Sequence, residues 1–116
     1  MDYQELFLSA QGRISRQTYW IGWVMLFVAY LIIYLLIAAT RHHLSLLSAL
    51  FGLVSIALLY PSLCIGIKRF HDRDKSGWWV LIALIPLIGG IWYLIEVGFL
   101  PGTRGPNQYG PDPLAA

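Results

Sequence analysis

Residues 78–100 read WWVLIALIPLIGGIWYLIEVGFL, and the folding of this stretch decides how often the chain crosses a membrane. Its 23 residues carry one charge, Glu96. A straight helix of that length reaches about 35 Å, enough for a hydrocarbon core of roughly 30 Å. Pro86, Gly89 and Gly90 fall near its middle and divide it into legs of about 12 and 15 Å. A straight or kinked crossing is the expectation, because neighbouring helices can satisfy the backbone groups that a proline frees. A re-entrant hairpin is the alternative, and it would return the tail to the side where the segment began.

Two further stretches precede it. Residues 44–67 run for 24 residues and residues 19–39 for 21, with no Asp, Glu, Lys or Arg in either. The chain of 116 residues is 58% hydrophobic and 12% charged, against about 25% charged in soluble domains. One membrane domain covering 1–116 follows, since a water-soluble core this small could not hide three such segments. The apolar run of 19–39 exceeds a signal-peptide core and two more spans follow it, so it reads as a resident span. The net charge of +2 gives no reason to expect nucleic acid as a partner. The lone Cys64 excludes an intramolecular disulfide and a cysteine metal cluster.

The fold class is therefore all-α: an integral membrane protein with three transmembrane helices at about 19–39, 44–67 and 78–100. Residues 2–10, DYQELFLSA, suggest a short interfacial helix capped by Asp2, with Tyr3, Leu6, Phe7 and Ala10 toward one side. The tail 101–116, PGTRGPNQYGPDPLAA, alternates Pro and Gly and cannot be regular helix. Tyr19, Trp20, Trp23, Trp78 and Trp79 sit where an aromatic belt is expected. Three crossings place Arg13, Arg16, Lys68, Arg69, Arg73 and Lys75 on one side, and only Arg41 and Arg104 on the other. The positive-inside rule then puts the N-terminus and loop 68–77 in the cytoplasm and the tail outside.

The loop KRFHDRDKSG, 68–77, is the densest charge cluster. Ser76 is suited to cap the third span. Arg13, Arg16, Lys68, Arg69, Arg73, Lys75 and Ser76 are the candidate contacts for anionic lipid headgroups. The plainer alternative is that these bases only set topology, with Asp72 and Asp74 balancing them. Glu96 lies 18 residues past Trp78, about 27 Å along a straight helix and so near the outer leaflet, where Arg41 and His42 are its expected partners. It is either a structural carboxylate or an ion, proton or ligand site. Ser45, Ser48, Gly52, Ser55, Ser62 and Gly66 recur at steps of three and four apart from Leu59, forming a small-residue seam in the second span. That seam suits packing against the other spans, a subunit interface or a pore lining. Pro61 is expected to kink this helix.

Of His71, Asp72 and Asp74, at most two can converge on one helical face. No metal, cofactor or catalytic constellation is expected.

Together, Gly12-Arg13, Arg16, Tyr19-Trp20, Lys68-Arg69, His71-Asp72, Ser76-Gly77-Trp78-Trp79, Pro86 and Gly89 resemble the small bacterial inner-membrane proteins of the domain of unknown function 805 family. The tail continues the match with Pro101-Gly102-Thr103, Gly105, Asn107 and Tyr109-Gly110-Pro111-Asp112-Pro113. The resemblance implies an integral inner-membrane protein and no particular activity, cofactor or catalytic residue. Topology alone does not require so specific a set of turn residues, which points to a tail folded back as an ordered cap. The functional expectation is a non-enzymatic accessory or scaffold protein contacting anionic lipid, another membrane protein or a second copy of itself. A small oligomeric channel or transporter subunit is the alternative, and a lipid-modifying enzyme working through His71 and Asp72 a further one.

Overall fold

The structure, a computed structural model, describes residues 2–40 and 45–114. Helix α1 covers Tyr3–Leu8, α2 Arg16–Thr40, α3 Ser45–Ala57, α4 Leu59–Asp72 and α5 Ile88–Gly98, with a 3₁₀ helix at Gly77–Leu84 before α5. No strand occurs among the described residues, so the all-α class holds.

Two helices are long and apolar enough to cross a membrane, Arg16–Ala39 and the combined α3–α4 rod Leu46–Asp72. Only 17% of either apolar window is buried against protein. The remainder, including Leu46, Tyr34 and Leu53, needs lipid as its solvent. In α2, Tyr19, Leu26 and Ile33 are buried at a spacing of seven and form the protein-facing seam. The rod breaks at Leu58, just before Pro61, which has no N–H to give the Ala57 carbonyl. Leu58 itself stays helical at φ −69°, ψ −12°, and the bonds from the Leu58 amide to Val54 and from the Ser62 amide to Leu58 carry the rod across the interruption.

The third apolar stretch does not continue as one helix. The Ser76 hydroxyl accepts from the Trp78 amide and starts the 3₁₀ helix. Ile85, which precedes Pro86, is extended at φ −76°, ψ 119°, as steric conflict with the proline ring demands. Leu87 then takes φ 64°, ψ −66°, and the Ile88 amide donates to the Pro86 carbonyl at 2.7 Å. This is a γ-turn of the rare positive-φ kind. It reverses the chain, and α5 returns against the 3₁₀ leg. At Gly89 a β-carbon would collide with the Ile82 carbonyl oxygen, so the legs approach this closely only because no side chain intervenes.

The leg lengths agree with a return to the starting level. Eight 3₁₀ residues rise about 16 Å, and eleven α-helical residues about 17 Å. Neither spans a bilayer alone. The expected third crossing is therefore replaced by a hairpin, and the tail lies at the same end as residues 12–16 and 68–75.

The core gathers at that end. Leu6, Ile14, Tyr19, Leu26, Ile65, Phe70 and Val97 form one buried cluster. Helix α1 contributes Leu6, while Tyr3 stays exposed, so the buried side of α1 is narrower than the sequence suggested. Asp2 caps it as expected, accepting from the Gln4 and Glu5 amides at 3.0 and 3.3 Å.

Candidate functional site

The last turn of α4 places Lys68, Arg69 and Asp72 side by side, all buried. Asp72 accepts from two guanidinium groups. Arg69 Nη1 lies 2.5 Å from Oδ2, and Arg13 approaches Oδ1 at 3.0 Å through Nη2 and 3.1 Å through Nε. Gly12, at φ 91°, supplies the turn that leads Arg13 to the cluster. Arg13 also donates to the tail carbonyls of Thr103 at 2.6 Å, Gly105 at 2.8 Å and Gly110 at 3.2 Å. Lys68 turns the other way and donates to the Glu5 and Leu6 carbonyls at 2.5 and 2.6 Å, closing the C-terminal end of α1.

A second device closes α5. The carbonyls at a helix C-terminus lack intrahelical partners and favour cationic donors. Here five successive carbonyls are satisfied from outside the helix. Val97 and Leu100 accept from Arg69 at 2.6 and 2.7 Å, and Gly98 accepts from the Trp20 indole at 2.8 Å. Phe99 accepts from Arg16 at 2.7 Å, and Pro101 from Arg73 at 2.5 Å. Helices α2 and α4 are thereby tied to the end of α5.

Glu96 corrects the sequence reading. A straight 27 Å helix would have carried it to the opposite interface, but the hairpin brings it back beside its own starting loop. Its two oxygens accept from Arg73 and Lys75. Arg41 and His42, the partners expected from sequence, lie outside the described residues. Burial alone would raise the Glu96 carboxyl, but the bonds from Lys75 and Arg73 prevail and hold it below its ordinary value. Lys75 also lies 4.8 Å over the Trp79 ring.

The tail is an ordered cap built on α4. The Thr103 amide donates to the Asp72 carbonyl at 2.7 Å, and the Asn107 side chain donates to the His71 carbonyl at 2.9 Å. At Gly102 a β-carbon would overlap the Asp72 carboxylate. Tyr109 stacks on the His71 ring at 3.9 Å, and His71 Nδ1 lies 3.0 Å from the Gly12 carbonyl. Asp112 holds the final turn by accepting from the Gly105 and Leu114 amides, each at 2.9 Å. Those bonds draw its carboxyl below the ordinary value.

The candidate lipid contacts thus divide. Arg13, Lys68 and Arg69 are enclosed and fully engaged with protein, which removes them as headgroup contacts. Arg73 and Lys75 are half-buried on Glu96, whereas Arg16 and the capping Ser76 are exposed. No buried side-chain nitrogen or oxygen among the described residues lacks a partner. Sequence reasoning missed the role of Trp20 as a backbone donor and assigned Arg104 to the wrong end. The one available signal was the unusual density of turn residues in the tail.

In the small-residue seam, Gly66 faces Tyr93, whose hydroxyl occupies the place of a β-carbon. The Ser55 carbonyl lies 3.4 Å from the Tyr30 hydroxyl of α2. The Ser55 and Ser62 hydroxyls donate back within the rod, to Phe51 at 3.1 Å and Leu58 at 2.9 Å. Ser48 and Gly52 are half-buried on the same rod, and the Ser45 side chain lies outside the described residues.

The family described as "Protein of unknown function (DUF805)" matches residues 7–111. The "Inner membrane protein YhaI" of Escherichia coli (strain K12) is 35% identical over 108 residues, covering 92% of this chain and 87% of that protein. The "Inner membrane protein YhaH" of the same organism is 33% identical over 112 residues, covering 92% and 88%. The "Uncharacterized protein YiiR", also from that organism, is 31% identical over 136 residues, covering 97% and 90%. No solved structure matches the chain.

Proposed function

The chain belongs to the DUF805 family of inner-membrane proteins, and from that premise we propose that it is a non-enzymatic accessory or scaffold protein. It stands in the membrane on two crossing helices, with both termini and loop 68–77 in the cytoplasm. Its 3₁₀–α5 hairpin dips into the cytoplasmic leaflet only. There its polar end meets anionic headgroups, or a partner that carries similar charge.

One observation supports this reading above the others. With the tail folded back, Arg104 joins Arg13, Arg16, Lys68, Arg69, Arg73 and Lys75, so seven of the eight Lys and Arg share one end. The eighth, Arg41, lies outside the described residues. Such an asymmetry is the expected mark of a cytoplasmic face. The engagement of Asp72, His71 and Glu96 with neighbouring protein groups favours a structural use of these residues over a catalytic or cargo-carrying one.

Two measurements test the proposal. Green fluorescent protein fused after Ala116 is expected to fluoresce, and alkaline phosphatase at the same position to stay inactive. Protein extracted in mild detergent is expected to retain phosphatidylglycerol and cardiolipin above their share in the membrane. An active phosphatase fusion overturns the topology, and retention at bulk composition overturns the lipid contact.

A further inference from the structure

A cavity of about 270 Å³ opens at the polar end between the start of α2 and the tail. Its wall includes Arg16, Asp72, Thr103, Arg104, Asp112 and Leu114. The two acids are already occupied. Asp72 accepts from Arg13 and Arg69, and Asp112 accepts from the Gly105 and Leu114 amides. The two arginines are not. Among the described residues Arg16 uses one N–H on the Phe99 carbonyl, leaving four of the five donors a guanidinium carries. Arg104 is exposed and makes no hydrogen bond or ion pair among the described residues.

The balance of charge around the cavity is positive. The wall itself carries two cations, Arg16 and Arg104, and two anions, Asp72 and Asp112, and the Asp72 charge is already offset by the buried Arg13 and Arg69 behind it. Two guanidinium groups with N–H donors to spare, lining one cleft, form a recognition pattern for a tetrahedral oxyanion. The depth suits a lipid. Arg16 stands one turn from Trp20, an interfacial residue type. Ile21 and Val24, on the next stretch of α2, are exposed apolar side chains.

From this geometry we infer that the Arg16–Arg104 cleft binds a phosphate group, supplied by the headgroup of an anionic phospholipid whose chains run along α2. The inference deepens the lipid-contacting reading above and rests on it. It assigns Arg104, in the tail, a binding role distinct from the inward-facing Arg13 and Arg69.

Native mass spectrometry of the detergent-solubilised full chain, with phosphatidylglycerol or phosphatidylcholine added, tests the assignment. The unaltered protein is expected to prefer phosphatidylglycerol. Arg104→Gln is expected to weaken that binding about fivefold, the effect of one basic residue at an anionic surface. Arg104→Lys should retain most of it, and neither variant should shift the thermal unfolding temperature, because Arg104 makes no bond among the described residues. Equal phosphatidylglycerol binding by the unaltered protein and Arg104→Gln overturns the cleft while leaving the lipid reading intact. If the unaltered protein shows no preference between the two lipids, the lipid reading fails. Inorganic phosphate, followed by broadening of its phosphorus resonance, then decides the shared chemistry. Broadening that Arg104→Gln abolishes assigns the cleft to a soluble phosphate, and no broadening overturns the site.

Discussion

Replacing Arg69 by methionine should open the whole polar end. Arg69 is fully buried and makes four bonds: to Val97 at 2.6 Å, Ile14 at 3.0 Å, Asp72 at 2.5 Å and Leu100 at 2.7 Å. Charged hydrogen bonds contribute about 1.5–3 kcal/mol each, which would sum to well over 6 kcal/mol if they were independent. They are not independent, and deleting the guanidinium also removes its own large desolvation cost. Asp72 keeps Arg13 as a partner. A net loss of about 3–5 kcal/mol, the usual range for breaking a buried pair, is therefore expected.

The chain carries its own probe for this. Cys64 is the only cysteine, it is 1% exposed, and it lies in the same helix as Arg69. Labelling of its thiol by a maleimide in detergent reports the open population when reclosing outpaces reaction. At a factor of ten per 1.4 kcal/mol, Arg69→Met should label roughly 10²- to 4 × 10³-fold faster. Arg69→Lys should fall between the two, because an ammonium cannot reproduce the fork. Asp72→Asn should accelerate labelling as well, and the double variant by less than the product of the single effects. Labelling of Arg69→Met within fivefold of the unaltered protein would refute a stability built on this guanidinium.

Three other outcomes are expected. Gly66→Ala should destabilise by about 1–3 kcal/mol through overpacking against the Tyr93 hydroxyl. Adding Tyr93→Phe should recover most of that loss in the same labelling assay. Leu87→Gly should be neutral or stabilising by about 1 kcal/mol, since Leu87 is 79% exposed and held at positive φ. Leu87→Val should destabilise, and the reverse order would argue against the γ-turn. Glu96 and Asp112 both have folded-state carboxyls below their ordinary values of 4.5 and 3.8, so near those values the unfolded chain binds more protons. Their stabilisation is present above the ordinary values and is lost as the pH falls through the lower folded ones. Proteolysis of the tail should accelerate below about pH 4, and a tail that becomes more resistant there would contradict the assigned pairs.

Much of the architecture was legible in the chain because it depends on short-range features. Apolar length identifies the two helices long enough to cross a membrane, though it marked 78–100 equally as a third; Asp2 and Ser76 announce helix starts, and Pro61 marks the interruption at Leu58. Pro86 was visible as a break, yet its consequence was misjudged. Whether a proline bends a crossing or reverses it depends on what the returning leg finds to pack and bond against. Here that is α4, through the Phe70–Tyr93 edge contact at 5.8 Å, and the carbonyl-capping arginines. The misplacement of Glu96 and Arg104 followed from that single error, since both positions were counted along a rod that does not exist.

Composition and segment length by themselves determined that this protein lives in lipid as a bundle of helices, because apolar transfer is additive along a chain and needs no knowledge of neighbours. They also determined that most of the basic residues flank the ends of the apolar segments rather than lie within them. Only the tertiary structure decided which of those cations turn inward. Arg13, Lys68 and Arg69 are held within the fold by carbonyls up to 97 residues away in sequence, while Arg16 and Arg104 are left facing outward. A charge's partners are set by distances in space, and the hairpin that creates those distances is stabilised by the same bonds it makes possible.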